Sequence, residues 1–313
     1  MRRRPLGKTG LEVPELCLGT WGLSGDAYGP VEEAEQDLVI ERALALGVTA
    51  FETADAYAQG AMESRLGRLL EKHPDAIVIT KVGTDRSSSP PQKRFDADYL
   101  REAVAKSRER LKRPIDVLLL HNPSSVPLGR PATRELMQQL QTDGVIKAWG
   151  VSVGNAEIGR AAIEAGAQVL QIAYSAFYQR ELNDLLGTIR DNQLGVLVRS
   201  VLSHGLLCGQ WPSTKTFASG DHRRDRWTND DFKKRISQLS ALRPVVAGSI
   251  TSLRAAALRF VLDEPLVSAA VIGPKSTLQL DQLLRDAGKE PPYLPQNARM
   301  ALMNRLAGVG IKG

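Results

Sequence analysis

Cysteine is scarce in this chain. Of 313 residues only Cys17 and Cys208 carry a thiol, too few for a disulfide framework, and two reduced thiols are the expected state. Histidine is nearly as rare at four residues, and aromatic residues make up 5% of the chain. No stretch approaches the roughly 20 apolar residues that a spanning helix needs. The basic start, Arg2 to Arg4, runs into Pro5 and Gly7 and not into the apolar core of a signal peptide. A membrane protein is not expected, and the cytoplasm is the default location. The net charge of +6 would suit nucleic acid only if the basic residues gathered around a recognition motif or stacking aromatics, and they are dispersed. The densest charged run, Asp221 to Arg235, sets six Lys or Arg against four Asp. It reads first as a solvated loop and second as a lid over an anionic ligand.

What is present is alternation. Eight short β-branched or Leu-rich runs recur: Leu16 to Gly19, Val48 to Thr53, Ile77 to Lys81, Val117 to His121, Ala148 to Ser152, Val169 to Ala173, Val196 to Ser200 and Ala269 to Ile272. Amphipathic segments lie between them, such as Val31 to Leu46, Tyr99 to Leu111 and Ala156 to Ala165, punctuated by Gly47, Pro114, Gly144 and Gly166. Strict βα alternation without a linker predicts one domain over 1–313, an α/β protein built as a closed (β/α)8 TIM barrel. Before the first run, Arg4 to Val13 reads as a β-hairpin that plugs the barrel's bottom. The connection from about Val201 to Ser252 is long for a βα unit, and such loops are usually functional.

In a barrel the reacting groups lie at the C-terminal ends of the strands. Here those ends are polar: Thr20 and Trp21; Glu52, Asp55 and Tyr57; Lys81; His121; Ser152; Gln171; Arg199 and Ser200; then Gly273, Pro274, Lys275 and Ser276. A strand-end Tyr, Lys or His alone is more often a packing or surface residue. Convergence on one mouth is what makes them candidates. No metal site is expected.

The ordered motifs Leu-Gly-Thr-Trp-Gly at 18–22, Phe-Glu-Thr-Ala-Asp-Ala-Tyr at 51–57, Ile-Thr-Lys-Val-Gly at 79–83, Leu-Leu-Leu-His-Asn-Pro at 118–123, Trp-Gly-Val-Ser at 149–152 and Ile-Gly-Pro-Lys-Ser at 272–276 resemble the aldo-keto reductase superfamily along essentially the whole chain. The resemblance implies reduction of a small aldehyde or ketone, sugars included, by NADPH. It implies a catalytic set of Tyr57, Lys81, His121 and Glu52: Tyr57 as the acid, Lys81 lowering its pKa, and an uncharged His121 orienting the carbonyl. Glu52 stands where the family has Asp, one methylene longer, and keeps the charge that pairs with Lys81.

Asp55 is expected to cap the following helix. The resemblance places the cofactor against Gly19, Thr20 and Trp21, against Ser152 and Gln171 at the carboxamide, and against Arg199, Ser200, Val201, Leu202, Gly205, Leu207 and Gly273. Lys275, Ser276 and Gln279 match the positions that hold the adenosine 2′-phosphate, which is the basis for NADPH. Three positions depart from the family: Val153 for Asn, Arg199 for an aromatic, and Leu283 for Asn. Trp21, Tyr57 and His121 would also touch the substrate, with Tyr28, Trp211 and Trp227 as further pocket candidates. Two readings compete: a catalytically weakened NADPH-binding sensor or partner subunit, and a Schiff-base barrel enzyme using Lys81. The oligomeric state stays open.

Overall fold

The structure is a computed structural model and describes residues 1–311. Eight parallel strands close into a barrel: Leu16–Gly19, Ala50–Glu52, Ile77–Val82, Ile115–His121, Ile146–Ser152, Val169–Ala173, Gly195–Arg199 and Ala269–Ile272. Each pairs with its neighbours in chain order, and the eighth closes on the first through Ala270 to Leu16 and Ile272 to Leu18. The eight expected runs are the eight strands, with edges shifted by a few residues. The helices between them begin with side-chain caps where the sequence supplies one. Asp96 accepts from the Tyr99 amide at 3.0 Å, Asn155 from Ile158 at 2.9 Å and Ser252 from Ala255 at 2.9 Å.

Side chains of a strand alternate between its two faces, so every second residue enters the barrel. Cys17, Ala50, Ile79, Val117, Leu119 and Leu197 belong to one buried apolar cluster inside it. Two residues further along the same parity stand Gly19, Glu52, Lys81, His121 and Arg199. The barrel interior is therefore apolar below and charged at its C-terminal mouth. Its lower end is closed by the expected hairpin, Arg3–Pro5 paired antiparallel with Glu12–Pro14. The turn of this hairpin inserts Leu6 into the same cluster as Val13, both wholly buried. Gly7, at φ +55°, lies so close to the seventh strand that a Cβ there would meet the Gly195 amide nitrogen at 2.2 Å.

Several elements were not anticipated. A two-residue-per-side hairpin, Thr84–Asp85 with Gln92–Lys93, follows the third strand. The long connection is not one loop. It holds a short 3-10 turn, Ser203–Cys208, and a helix, Asn229–Leu242, so the charged run 221–235 is divided between strap and helix. That helix packs against a C-terminal helix, Gln296–Gly308, and Gln238 Nε2 donates to the Val309 carbonyl at 2.9 Å. The strap before it meets the loop that follows strand one: Tyr28 and Asp221 form an isolated antiparallel bridge, and the His222 amide donates to the Ala27 carbonyl at 2.9 Å. No helix among the described residues is long and apolar enough to cross a membrane.

Candidate active site

The charged centre is Glu52 with Lys81. Their carboxylate and ammonium are in direct contact, and both side chains are almost fully buried. Lys81 Nζ also donates to the Thr53 carbonyl at 2.7 Å. Burial pulls the Lys81 pKa down, but the Glu52 charge and Tyr57 outweigh it, and the net shift is upward. The ammonium is thus held charged. Gly19 lies beside this pair: a Cβ there would sit 2.6 Å from Val271 and 3.4 Å from Glu52 Oε2. Glu52 Oε1 also accepts from Gln171 Nε2 at 2.7 Å. Gln171 Oε1, by contrast, is buried without a hydrogen-bond partner.

Tyr57 follows strand two in a strained turn, with Ala58 and Gln59 at φ 46° and 54°. The Ala58 amide is held there by Asp26 Oδ2 at 2.6 Å. Lys81 Nζ lies 4.5 Å from the centre of the Tyr57 ring, and the His121 ring meets it edge-on at 6.0 Å. Sequence reasoning expected Lys81 to bring the phenol's pKa below its ordinary value. Burial dominates instead: it pushes Tyr57 up to about 12, with Lys81 opposing and Glu52 adding to the rise. Tyr57 is therefore fully protonated at neutral pH.

His121 is held neutral. Burial first, then the charges of Lys81, Lys93 and Arg199, push its pKa far below the ordinary range. Its Nδ1 lies 3.4 Å from Thr84 Oγ1, which itself accepts from Lys93 Nζ at 2.7 Å. With that lone pair taken by an ammonium, the Thr84 hydroxyl proton is free to point at Nδ1. With Nδ1 accepting from that hydroxyl, the proton of the neutral imidazole would reside on Nε2. Lys93 Nζ also donates to the His121 carbonyl at 2.7 Å. Thr84 and Lys93 come from the unanticipated hairpin, and no motif in the sequence marked them.

Around these groups lies an aromatic shell. Trp21 stacks towards Tyr57 at 6.4 Å and touches Tyr28 at 5.5 Å and His222 at 4.8 Å. His204 completes it through the Tyr28 hydroxyl, 3.3 Å from its Nδ1. Trp21 thus lies beside Tyr57, and Tyr28 beside Trp21. Trp211 and Trp227 instead pack with Phe217 and Phe232 in a neighbouring cluster. His204 and His222 went unnoticed because they sit in the long connection, far from any strand-end motif.

The remaining expected positions divide. Ser152 Oγ bonds to Asn122 Oδ1 at 3.2 Å, and Arg199 donates to the backbone carbonyl of Val153 at 3.0 Å. Thr20 turns its hydroxyl to Thr53 at 3.0 Å. Ser200, at φ 59°, starts the turn in which Leu207 returns its amide to the Leu202 carbonyl; Val201 and Leu207 are buried in apolar packing. Gly205, at φ +94°, backs onto Trp211. Gly273 lies against Gly19, where a Cβ would be 3.9 Å from the Gly19 carbonyl oxygen. Lys275, Ser276 and Gln279 stand apart at the start of the last barrel helix, Thr277–Asp286. Asp55 caps nothing. Its Oδ1 is buried without a partner, and burial plus the charge of Glu63 raise its pKa from 3.8 to about 7. The expected cap fails because the chain turns sharply at Ala58 and presents its amide to Asp26.

The family model described as the aldo/keto reductase family matches residues 15–290. The chain belongs to the aldo/keto reductase family. One relative, an aldo-keto reductase of Bacillus subtilis named YhdN, is 29% identical over 92% of this chain and 89% of its own. An NADH-specific methylglyoxal reductase of Escherichia coli is also 29% identical, over 84% of this chain and 86% of its own. The solved structure of a glycerol dehydrogenase from Gluconobacter oxydans superposes with a TM-score of 0.85, covering 99% of this chain and 97% of that one at 24% identity. Membership of the aldo/keto reductases supports an NAD(P)H-dependent carbonyl oxidoreductase. Gln171 fits such a dinucleotide: its unpartnered oxygen is an acceptor suited to the amide N–H of a nicotinamide carboxamide.

Proposed function

We propose that this chain reduces a small aldehyde or ketone to an alcohol, with Tyr57 as the proton donor, Lys81 and Glu52 as its charged support, and His121 as the group that orients the carbonyl. The observation that carries the reading is the Lys81 ammonium, kept charged by Glu52 and lying 4.5 Å from the Tyr57 ring centre at the barrel mouth. A bound nicotinamide supplies the hydride. As negative charge grows on the carbonyl oxygen, a protonated phenol can give up its proton, and the neighbouring ammonium stabilises the phenolate left behind. The neutral imidazole donates through Nε2 and fixes where that oxygen sits. Trp21, Tyr28 and His222 form the wall against which a small carbonyl compound packs.

The charge state of Lys81 speaks against imine chemistry, which needs a neutral amine as nucleophile. The test is consumption of NADH and NADPH with an activated aromatic aldehyde, with cofactor binding followed by fluorescence. Tyr57→Phe is expected to lower turnover by about 10²- to 10⁴-fold while leaving cofactor affinity intact. Unchanged turnover would remove Tyr57 as the acid. Tight cofactor binding without turnover on several carbonyls would favour a sensing or partner-binding role.

A further inference from the structure

The three side chains matched to the adenosine 2′-phosphate are all engaged within the protein. Lys275 Nζ donates to the carbonyls of Tyr28 at 2.7 Å and Gly29 at 3.3 Å. Ser276 Oγ caps the helix by accepting from the Gln279 amide at 3.3 Å, and Gln279 Oε1 accepts from the Lys275 amide at 2.9 Å. The decisive residue comes from elsewhere. Glu35, on the first barrel helix, Glu33–Ala45, places Oε1 2.9 Å from the Thr277 amide nitrogen. The positive end of the last barrel helix, the place that favours an anion, is already taken by a carboxylate. Arg223 is near enough to act on the charge of Lys275, yet it is itself bidentate on Asp221, at 2.9 and 2.5 Å.

A phosphomonoester at this position would bring close to two negative charges against the Glu35 carboxylate, and would have to take Lys275 away from two carbonyl oxygens. A ribose hydroxyl meets the opposite situation, since a carboxylate is an acceptor for its O–H. We infer that Glu35 makes this site select a dinucleotide with a free 2′-hydroxyl, so that the chain uses NADH in preference to NADPH. This reverses the expectation drawn from Lys275, Ser276 and Gln279, and it rests on the dinucleotide reading above.

The test is direct titration of the purified protein with NADH and NADPH, repeated with ADP-ribose and its 2′-phosphorylated form, which lack the nicotinamide. The wild-type protein is expected to bind each unphosphorylated ligand at least about tenfold more tightly than its phosphorylated partner. Glu35→Gln, which keeps the acceptor for Thr277 and removes the charge, is expected to narrow that ratio by about tenfold, chiefly by strengthening the phosphorylated ligands. Tighter binding of NADPH by the wild type, or a ratio unmoved by Glu35→Gln, would overturn the inference and leave the dinucleotide reading standing. Binding of neither dinucleotide would overturn both.

Discussion

Glu52→Gln is the most informative single change at this site. The substitution keeps the side chain's length and the acceptor for Gln171 and Lys81, but it leaves the Lys81 ammonium, 2% exposed, with no counter-charge. Removing one partner of a buried ion pair costs about 3–5 kcal/mol, and the retained acceptor places this variant at the lower end. For a chain of 313 residues, at about 2.1 cal/mol/K of unfolding entropy per residue, the full range corresponds to a fall in Tm of about 5–8 °C and the lower end to about 5 °C.

The pH dependence supplies an independent sign. In the wild type the folded Lys81 pKa is raised above 10.5. Its stabilising contribution is therefore complete below that value and lost as pH rises through the raised pKa. With Glu52 neutral, burial dominates and the folded pKa falls below the unfolded one. The unfolded chain then binds more protons in that window, and stability rises with pH on approach to 10.5. Denaturant unfolding of both proteins between pH 7 and 10 reads the two slopes. A variant within about 0.5 kcal/mol of the wild type, or one whose stability does not rise with pH relative to the wild type over that range, would refute the account of Glu52 as the charge that holds Lys81.

Thr84→Val removes the hydroxyl that lies 3.4 Å from His121 Nδ1; a several-fold loss of kcat/KM with unchanged cofactor affinity is expected, restored by Thr84→Ser, and steady-state kinetics of the three proteins decide it. Asp55 has a folded pKa of about 7 against 3.8 for a free carboxyl. It therefore withdraws stability as pH rises between those values, and Asp55→Asn should flatten that part of the stability profile in an unfolding series from pH 4 to 8. Leu6→Ala opens the wholly buried plug of the barrel's lower end and is expected to cost about 2–5 kcal/mol in denaturant unfolding while cofactor binding remains intact. A cost under about 1 kcal/mol would mean that the hairpin does not support the barrel.

The barrel was legible because its signals are local. Each strand is a short apolar run bounded by polar residues, and the parity that puts Cys17, Ala50 and Ile79 inside also puts Glu52 and Lys81 at the mouth. Tyr57, Lys81 and His121 were legible for the same reason: strand ends converge whenever a barrel closes. Thr84 and Lys93 were not, since a hairpin with two residues on each side has no period to recognise. His204 and His222 reach the mouth only because the strap folds back onto the loop after strand one, a contact between positions nearly 200 residues apart.

By itself the sequence determined the number of strands, their order and the residues at their ends, because alternation and parity act over a few neighbouring residues. The tertiary structure decided the electrostatics. Whether Tyr57 lies above or below its free pKa depends on how burial compares with the nearby charge of Lys81. Whether Lys275 can meet a phosphate depends on Tyr28, Gly29 and Glu35, which the fold brings to it from the other end of the chain. A long-range field is a sum over distances in space, and spacing along the chain does not supply those distances.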